Sequence, residues 1–305
     1  MGFGGPVSTT RPDIALTECE FDGRVVIGVS CRGLLHIGHD VVRQDSFGIL
    51  ALSDGRLAVI VCDGVGSRPD SHHIADAAVE AASAALSEGV SPDAAARRVN
   101  NSLLALRYRW DGATTFTLVV LGSGESSGDV EVVWVGDSPL MTLYAGEWFN
   151  RTDDAFTTRD QDDPDVSKTK ALPSQDPSIQ SSAFRLRPEE SVFVMSDGVS
   201  KPLLGAADVR RQLALWWSNE TDIYTFASQV EFGRKTHVDD RTVVAIWPSA
   251  SLETTIPRAD QELTELDLRV EYGEGESAGD SSERLACATP DTDAEGDLAR
   301  ASAQS

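Results

Sequence analysis

Short apolar runs broken by polar turns dominate the first 250 residues. VVIGVSC (25–31), FGILAL (47–52) and LAVIVC (57–62) read as strands, and SDGR joins the last two as a tight turn. An alanine-rich stretch follows from His73 to Leu86, with Ala75, Ala78, Val79, Ala82 and Leu86 on one helical face. A second helix is predicted from about Pro92 to Arg107, where Pro92 and Asp93 suit a helix start. Strands return at 113–121, 130–136, 139–144 and 191–196. Helices are predicted at about 206–217 and 222–231, and TVVAIW (242–247) closes the series.

The order is strands, two helices, strands, two helices, strand. A doubly wound nucleotide-binding fold would alternate strand and helix singly and would open its first helix with a glycine-rich loop. Neither feature is present. The grouping instead predicts an α+β protein in which two mainly antiparallel sheets pack together, flanked by helix pairs. Segment 150–185 is polar and proline-punctuated, too long for a simple connection, and reads as a mobile lid or an ordered excursion beside a site.

Composition narrows the partners. The 305 residues carry 26 Lys plus Arg against 49 Asp plus Glu, a net charge of −23. Such a surface repels phosphate backbones and anionic membranes, so neither nucleic acid nor a membrane is an expected partner. No run of 18 apolar residues occurs, and the first residues lack the basic end and apolar stretch of a secretory signal. Cys19, Cys31, Cys62 and Cys287 show no CxxC spacing, which favours unpaired thiols and a cytoplasmic location. Residues 251–305 hold 14 acidic and 4 basic residues, against 35 and 22 in residues 1–250. Two parts are therefore expected: a folded domain over 1–249 and an acidic, disordered tail over 250–305, solubilising or alternatively regulatory.

Aspartates recur at the ends of the apolar runs. Asp63 follows LAVIVC, Asp137 follows VEVVWVG, and Asp197 follows SVFVMS. Asp239 and Asp240 precede TVVAIW, and Asp45 stands just before FGILAL. Carboxylates gathered at the rim of a core cannot stay unpaired. With few lysines or arginines beside them in sequence, hard divalent cations such as Mg2+ or Mn2+ are the natural counter-charge. A single Asp-Gly reads as a turn; its recurrence with Gly64 and Gly198, and Gly136 before Asp137, points to a site.

RQDSF (43–47), CDGVGS (62–67), GATTFT (112–117), VWVGDSPL (133–140), MSDGVS (195–200) and DDRTVV (239–244) together carry a family resemblance. Over roughly residues 25–248 the chain resembles the metal-dependent serine/threonine protein phosphatases of type 2C, in particular bacterial members. The resemblance implies a four-layer α-β-β-α sandwich with two Mg2+ or Mn2+ ions at one end. It implies that Asp63 bridges the two metals, that the Gly64 carbonyl and Asp63 serve one, and that Asp197 and Asp239 serve the other. Asp45 matches the residue that orients the attacking water, and Asp137 with Asp197 matches a third metal position. The implied reaction is direct hydrolysis of phosphoserine or phosphothreonine in a protein, such as a kinase target, by a metal-bridged water and without a phosphoenzyme. A monomeric, cytoplasmic signalling enzyme is expected.

Departures from the family pattern leave two alternatives: an inactive phosphatase-like interaction module, and a phosphatase for a small phosphorylated metabolite. Gln44 stands where the family usually has glutamate, and Asp40 where it has a phosphate-gripping arginine. Arg43, His39 and His36 are the candidate substitutes, Arg43 as a phosphate contact and His39 as a general acid or phosphate contact. DGVGS and Pro139 also depart from the usual DG-x-GG and GDSR strings. Zinc at His36, His39 and Asp45 is disfavoured, because no cysteine sits at ligand spacing and no helix is read there to align the pair. His72 and His73 are expected to begin a helix. Trp216, Trp217 and Leu213 are expected to pack in a core.

Overall fold

The central strands are apolar at nearly every position, so each needs cover on both faces. In the computed structural model, residues 11–152, 170–232 and 238–248 are described. The strands are β1 (Ile14–Phe21), β2 (Arg24–Cys31), β3 (Ser46–Ala51), β4 (Leu57–Cys62), β5 (Phe116–Leu121) and β6 (Asp129–Val135). They continue as β7 (Leu140–Tyr144), β8 (Glu147–Asn150), β9 (Gln180–Arg185), β10 (Ser191–Met195) and β11 (Arg241–Trp247). The helices are α1 (Leu34–Gly38), α2 (Ser71–Ser87), α3 (Pro92–Leu106), α4 (Asp197–Gly205), α5 (Ala207–Trp217) and α6 (Ile223–Val230).

Six strands form one sheet in the order β1-β2-β11-β10-β7-β8, and five form the other in the order β3-β4-β5-β6-β9. Every neighbouring pair is antiparallel. The alternation along each strand shows how the layers are built. Ala58, Ile60 and Cys62 of β4 face the core shared with α2 and α3, whereas Leu57, Val59 and Val61 face the core between the sheets. On β11, Val244 and Ile246 enter that same middle core, while Val243, Ala245 and Trp247 pack toward α5 and α6. Three apolar layers thus separate four structural ones, and the expected α-β-β-α sandwich results. Gly28 on β2 is a steric requirement of the middle core, since a Cβ there would collide with the Phe47 ring of the opposite sheet.

Several elements lacked a readable pattern. β1 and β9 are edge strands with largely exposed faces, so they carry polar residues where central strands carry apolar ones. α4 contains Pro202 and opens on Asp-Gly, which disguises a helix as a turn. The strand expected over 113–121 begins only at Phe116, because Thr114 instead bridges Gly64 and Leu172. Part of segment 150–185 is ordered, with Leu172 fully buried and β9 paired to β6. Residues 153–169 of the segment 150–185 expected as a lid or an ordered excursion, and 250–305, the expected tail, lie outside the described residues. Cys31 and Cys62 are buried and unpaired, and Cys19, half-buried, is also unpaired. Among the described residues no helix is long and apolar enough to cross a membrane.

The α5–α6 side of the core is aromatic. Trp217 stacks on Phe193 at 5.4 Å, packs against Phe226 at 5.3 Å, and its carbonyl accepts a 2.9 Å hydrogen bond from Trp247 Nε1. Leu213 is buried beside it as expected, but Trp216 lies on the outer side of α5 and is 37% exposed, because neighbouring helical positions point 100° apart. Trp217→Ala is expected to cost about 3–5 kcal/mol, whereas Trp216→Ala should cost less than about 1 kcal/mol. Urea unfolding of both variants checks the contrast; equal losses would contradict this packing.

Candidate active site

Asp63 leaves β4 where the middle core ends, and two threonines fix its backbone. Its amide donates to Thr115 Oγ1 at 3.0 Å, and its carbonyl accepts from Thr115 N at 2.8 Å and Thr114 Oγ1 at 3.0 Å. With the main chain held, Asp63 Oδ2 accepts a 3.2 Å hydrogen bond from the amide of Asp197, at the start of α4. Two residues 134 positions apart in sequence are joined in this way. Gly64 next to it must be glycine on steric grounds: a Cβ would lie 2.8 Å from both Gln44 Cβ and the Gln44 carbonyl oxygen.

Asp45 and Asp240 are buried behind this rim. Asp45 Oδ2 accepts from Thr242 Oγ1 at 2.8 Å. Burial and then the charge of Asp240 push its pKa up to about 7. Asp240 serves as a junction. Its Oδ1 accepts from Gly33 N at 2.6 Å and lies 2.8 Å from His36 Nδ1, while Oδ2 accepts from Gln44 N at 2.5 Å. Asp239 stays at the rim, half-buried, as are Asp63 and Asp197. The site therefore has an inner, buried pair of carboxylates and an outer, half-buried set.

The electrostatics of the outer set are unfavourable without a cation. Burial, then the charges of Asp45, Asp197 and Asp239, raise the Asp63 pKa well above the carboxylate range. Burial and then Asp197 raise that of Asp239. Among the described residues no lysine or arginine forms an ion pair with Asp45, Asp63 or Asp239. Lys201, one turn along α4, pairs with Asp197 and lies 4.0 Å from exposed Asp137. This cation was not foreseen, because the i,i+4 pair is visible only once α4 is recognised as a helix.

Among the described residues no three His, Cys, Asp or Glu side chains form a closed coordination set. The donors nonetheless suit hard divalent cations. They are carboxylate oxygens, of which only Asp197 has a lysine or arginine partner among the described residues, and Gln44 adds a buried Oε1 with no hydrogen-bond partner there while its Nε2 donates to the Arg68 carbonyl at 3.2 Å. A buried carbonyl oxygen without a hydrogen-bond partner is chemically suited to a hard cation.

The other candidates are placed differently. Arg43 is buried and donates to the carbonyls of Asp45 at 3.2 Å and Pro12 at 3.3 Å, so it holds the Asp45 peptide. Arg11, which no motif marked, reinforces the same peptide by donating to the Asp45 carbonyl and to Ser46 Oγ. His39 is exposed at the C-terminal end of α1. The stretch read as lacking a helix does form that short turn, which carries His36 inward and leaves Leu34, Leu35 and Ile37 outside. His72 and His73 lie in the first turn of α2, as expected.

The family model described as Protein phosphatase 2C matches residues 32–229. No curated relative matches the chain. Solved structures with a similar fold include RsbX in complex with magnesium, at 13% identity and a TM-score of 0.55, covering 76% of this chain and 99% of that one. The catalytic domain of the serine/threonine protein phosphatase PstP, in complex with two manganese ions, is similar at 19% identity and a TM-score of 0.55, covering 76% and 97% of the two chains. The serine/threonine phosphatase Stp1 from Staphylococcus aureus is similar at 13% identity and a TM-score of 0.54, covering 73% and 94%.

Asp45 and Asp63 hold protons more tightly in the folded chain than unfolded. Raised folded pKa values stabilise most below the unfolded value near 4, and that contribution is lost as pH rises through the folded value. Metal-free protein should therefore lose stability from Asp45 as pH rises from about 4 to about 7, with Asp63 adding a loss of the same sign, and added Mg2+ should restore it. Asp63→Asn should raise the metal-free melting temperature near neutral pH and shrink the rise that Mg2+ produces. Thermal melts followed by circular dichroism test this; an unchanged Mg2+ response in the variant would count against a cation at Asp63.

Proposed function

The chain belongs to the protein phosphatase 2C family, whose model spans residues 32–229, and from this we propose that it hydrolyses phosphoserine and phosphothreonine in proteins with two divalent cations. The observation that carries the reading is that Asp63 accepts from the Asp197 amide and is raised in pKa by the charges of Asp197 and Asp239, while among the described residues no lysine or arginine pairs with Asp63 or Asp239. In this reading Asp63 would serve both ions, with the Gly64 carbonyl at one and Asp197 and Asp239 at the other. Mg2+ or Mn2+ bound there would lower the pKa of water and offset charge on the phosphoryl oxygens.

The remaining work falls to the protein's own groups. Asp45 is fixed by Thr242 and its peptide by Arg43 and Arg11, so its carboxylate can orient the attacking water and accept its proton. Water attacks phosphorus directly as the P–O bond to the serine or threonine breaks, and the leaving oxygen takes up a proton from solvent, so the chain needs no nucleophilic side chain. Lys201 between Asp197 and Asp137 supplies positive charge where a third ion would sit, which favours two ions over three. A phosphorylated kinase target in the cytoplasm is the proposed substrate; the unpaired buried thiols of Cys31 and Cys62 suit that reducing setting. A monomer suffices, since the proposed ligands all come from one chain.

Hydrolysis of phosphopeptides and of p-nitrophenyl phosphate with Mn2+, Mg2+ or EDTA tests the reading. Turnover confined to small phosphates would favour a metabolite phosphatase, and phosphoprotein binding without turnover an interaction module. Asp63→Asn should lower kcat/KM by about 100-fold or more. Asp239→Asn should lose less and recover in part with excess Mn2+. Because both act on a shared ion pair, the double variant should be little worse than Asp63→Asn alone. Additive losses across a Mn2+ series would argue that Asp239 acts elsewhere, and near-normal activity in folded Asp63→Asn would refute the bridging role.

A further inference from the structure

The cationic side chains nearest the acidic rim are mostly committed. Arg43 and Arg11 hold the Asp45 peptide, and Lys201 spans Asp197 and Asp137. His36 is different. Only 4% of it is exposed, yet α1 directs it into the site between two segments that carry the proposed metal ligands.

On one side stands Asp240, next to Asp239. Two backbone amides, from Gly33 and Gln44, anchor that carboxylate, and His36 Nδ1 lies 2.8 Å from its Oδ1. Nδ1 makes no well-formed hydrogen bond there, so the 2.8 Å contact is first of all a charge pair. Asp240 outweighs the effect of burial and, with Asp239 and Asp45, holds the imidazole above the ordinary histidine pKa, which favours the doubly protonated ring. On the other side stands the loop that begins at Asp63. A Cβ placed on Gly66 would lie 3.8 Å from His36 Nε2, so Nε2 is the end of the ring that faces this loop. No hydrogen-bond partner for Nε2 is found among the described residues.

We propose that His36 is a substrate-contacting residue of this site: Nε2–H donates a hydrogen bond to a phosphoryl oxygen, while Nδ1 stays paired with Asp240. The inference rests on the phosphatase reading and adds the group that recognises the anion. An imidazolium fits the task physically. Its charge opposes that of the phosphoryl oxygens, and its counter-carboxylate is already held by two amides, so the ring is oriented before the ligand arrives.

The competing role is structural, with His36 merely pinning Asp240. Two variants separate the roles, because an Asn amide can reach the Nδ1 position and a Gln amide the Nε2 position. In the full 305-residue protein loaded with Mg2+, His36→Asn should melt near wild type. It should bind inorganic phosphate about 10- to 100-fold more weakly, measured as product inhibition, with a matching rise in KM for a phosphopeptide. His36→Gln should keep more of the phosphate affinity and melt lower. In 15N-histidine-labelled wild type, added phosphate should shift the Nε2 resonance far more than Nδ1. This titration decides alone if His36→Asn does not fold. Wild-type phosphate affinity in folded His36→Asn, or an Nε2 resonance unmoved at saturating phosphate, would overturn the proposal and leave the phosphatase reading intact. Wild-type protein that neither binds phosphate nor turns over substrate would remove both.

Discussion

Double-sided burial of the central strands is the constraint on which this protein depends. β4, β5, β10 and β11 present apolar side chains to both faces, and an isolated sheet would leave one set in water. Stacking the two sheets buries one set, and the helices α2–α3 and α4–α6 bury the others. The strands cannot slip, because a shift of one residue would exchange the two cores. The residues just beyond the strand ends therefore inherit fixed positions, and those residues are the aspartates.

A second consequence is electrostatic. Holding Asp45, Asp63, Asp197 and Asp239 near one another works against the apolar packing that places them there, and burial sharpens the repulsion. The protein relieves part of it locally. Thr242 and the amide of Asp197 donate to carboxylates, Lys201 pairs with Asp197, and Asp240 is drawn out of the cluster by Gly33, Gln44 and His36. What remains unbalanced among the described residues, together with the unpartnered Oε1 of Gln44, is negative charge and oxygen donors of the kind that suit hard divalent cations. Strain of this kind at a site is expected where function rather than stability sets the residues.

Glycine and arginine take supporting parts at the same rim. Gly64 lets the Asp63 loop rest on Gln44, and Gly198 lets α4 approach the Asp240 backbone without collision. Arg43 and Arg11 converge on one carbonyl, that of Asp45, and so act through the backbone rather than on a ligand.

Much of this was legible in the sequence. Apolar runs located β2, β4, β6, β10 and β11, alanine spacing located α2, and the recurrence of aspartate at strand ends marked the residues that the structure gathers. These signals are local, since periodicity and turn chemistry depend on residues a few positions apart. The tertiary structure alone decided the rest. β1 and β9 are exposed edges without an apolar signature, and α4 hides behind Asp-Gly and Pro202. The adjacent aspartates 239 and 240 are chemically identical, yet one stays at the rim and the other joins Gly33, His36 and Gln44. Likewise Arg43 and His36 are equally plausible anion contacts in sequence, but one faces backbone carbonyls and the other the Asp63 loop. Side-chain direction and long-range hydrogen bonding follow from strand order and layer packing, which local periodicity does not encode.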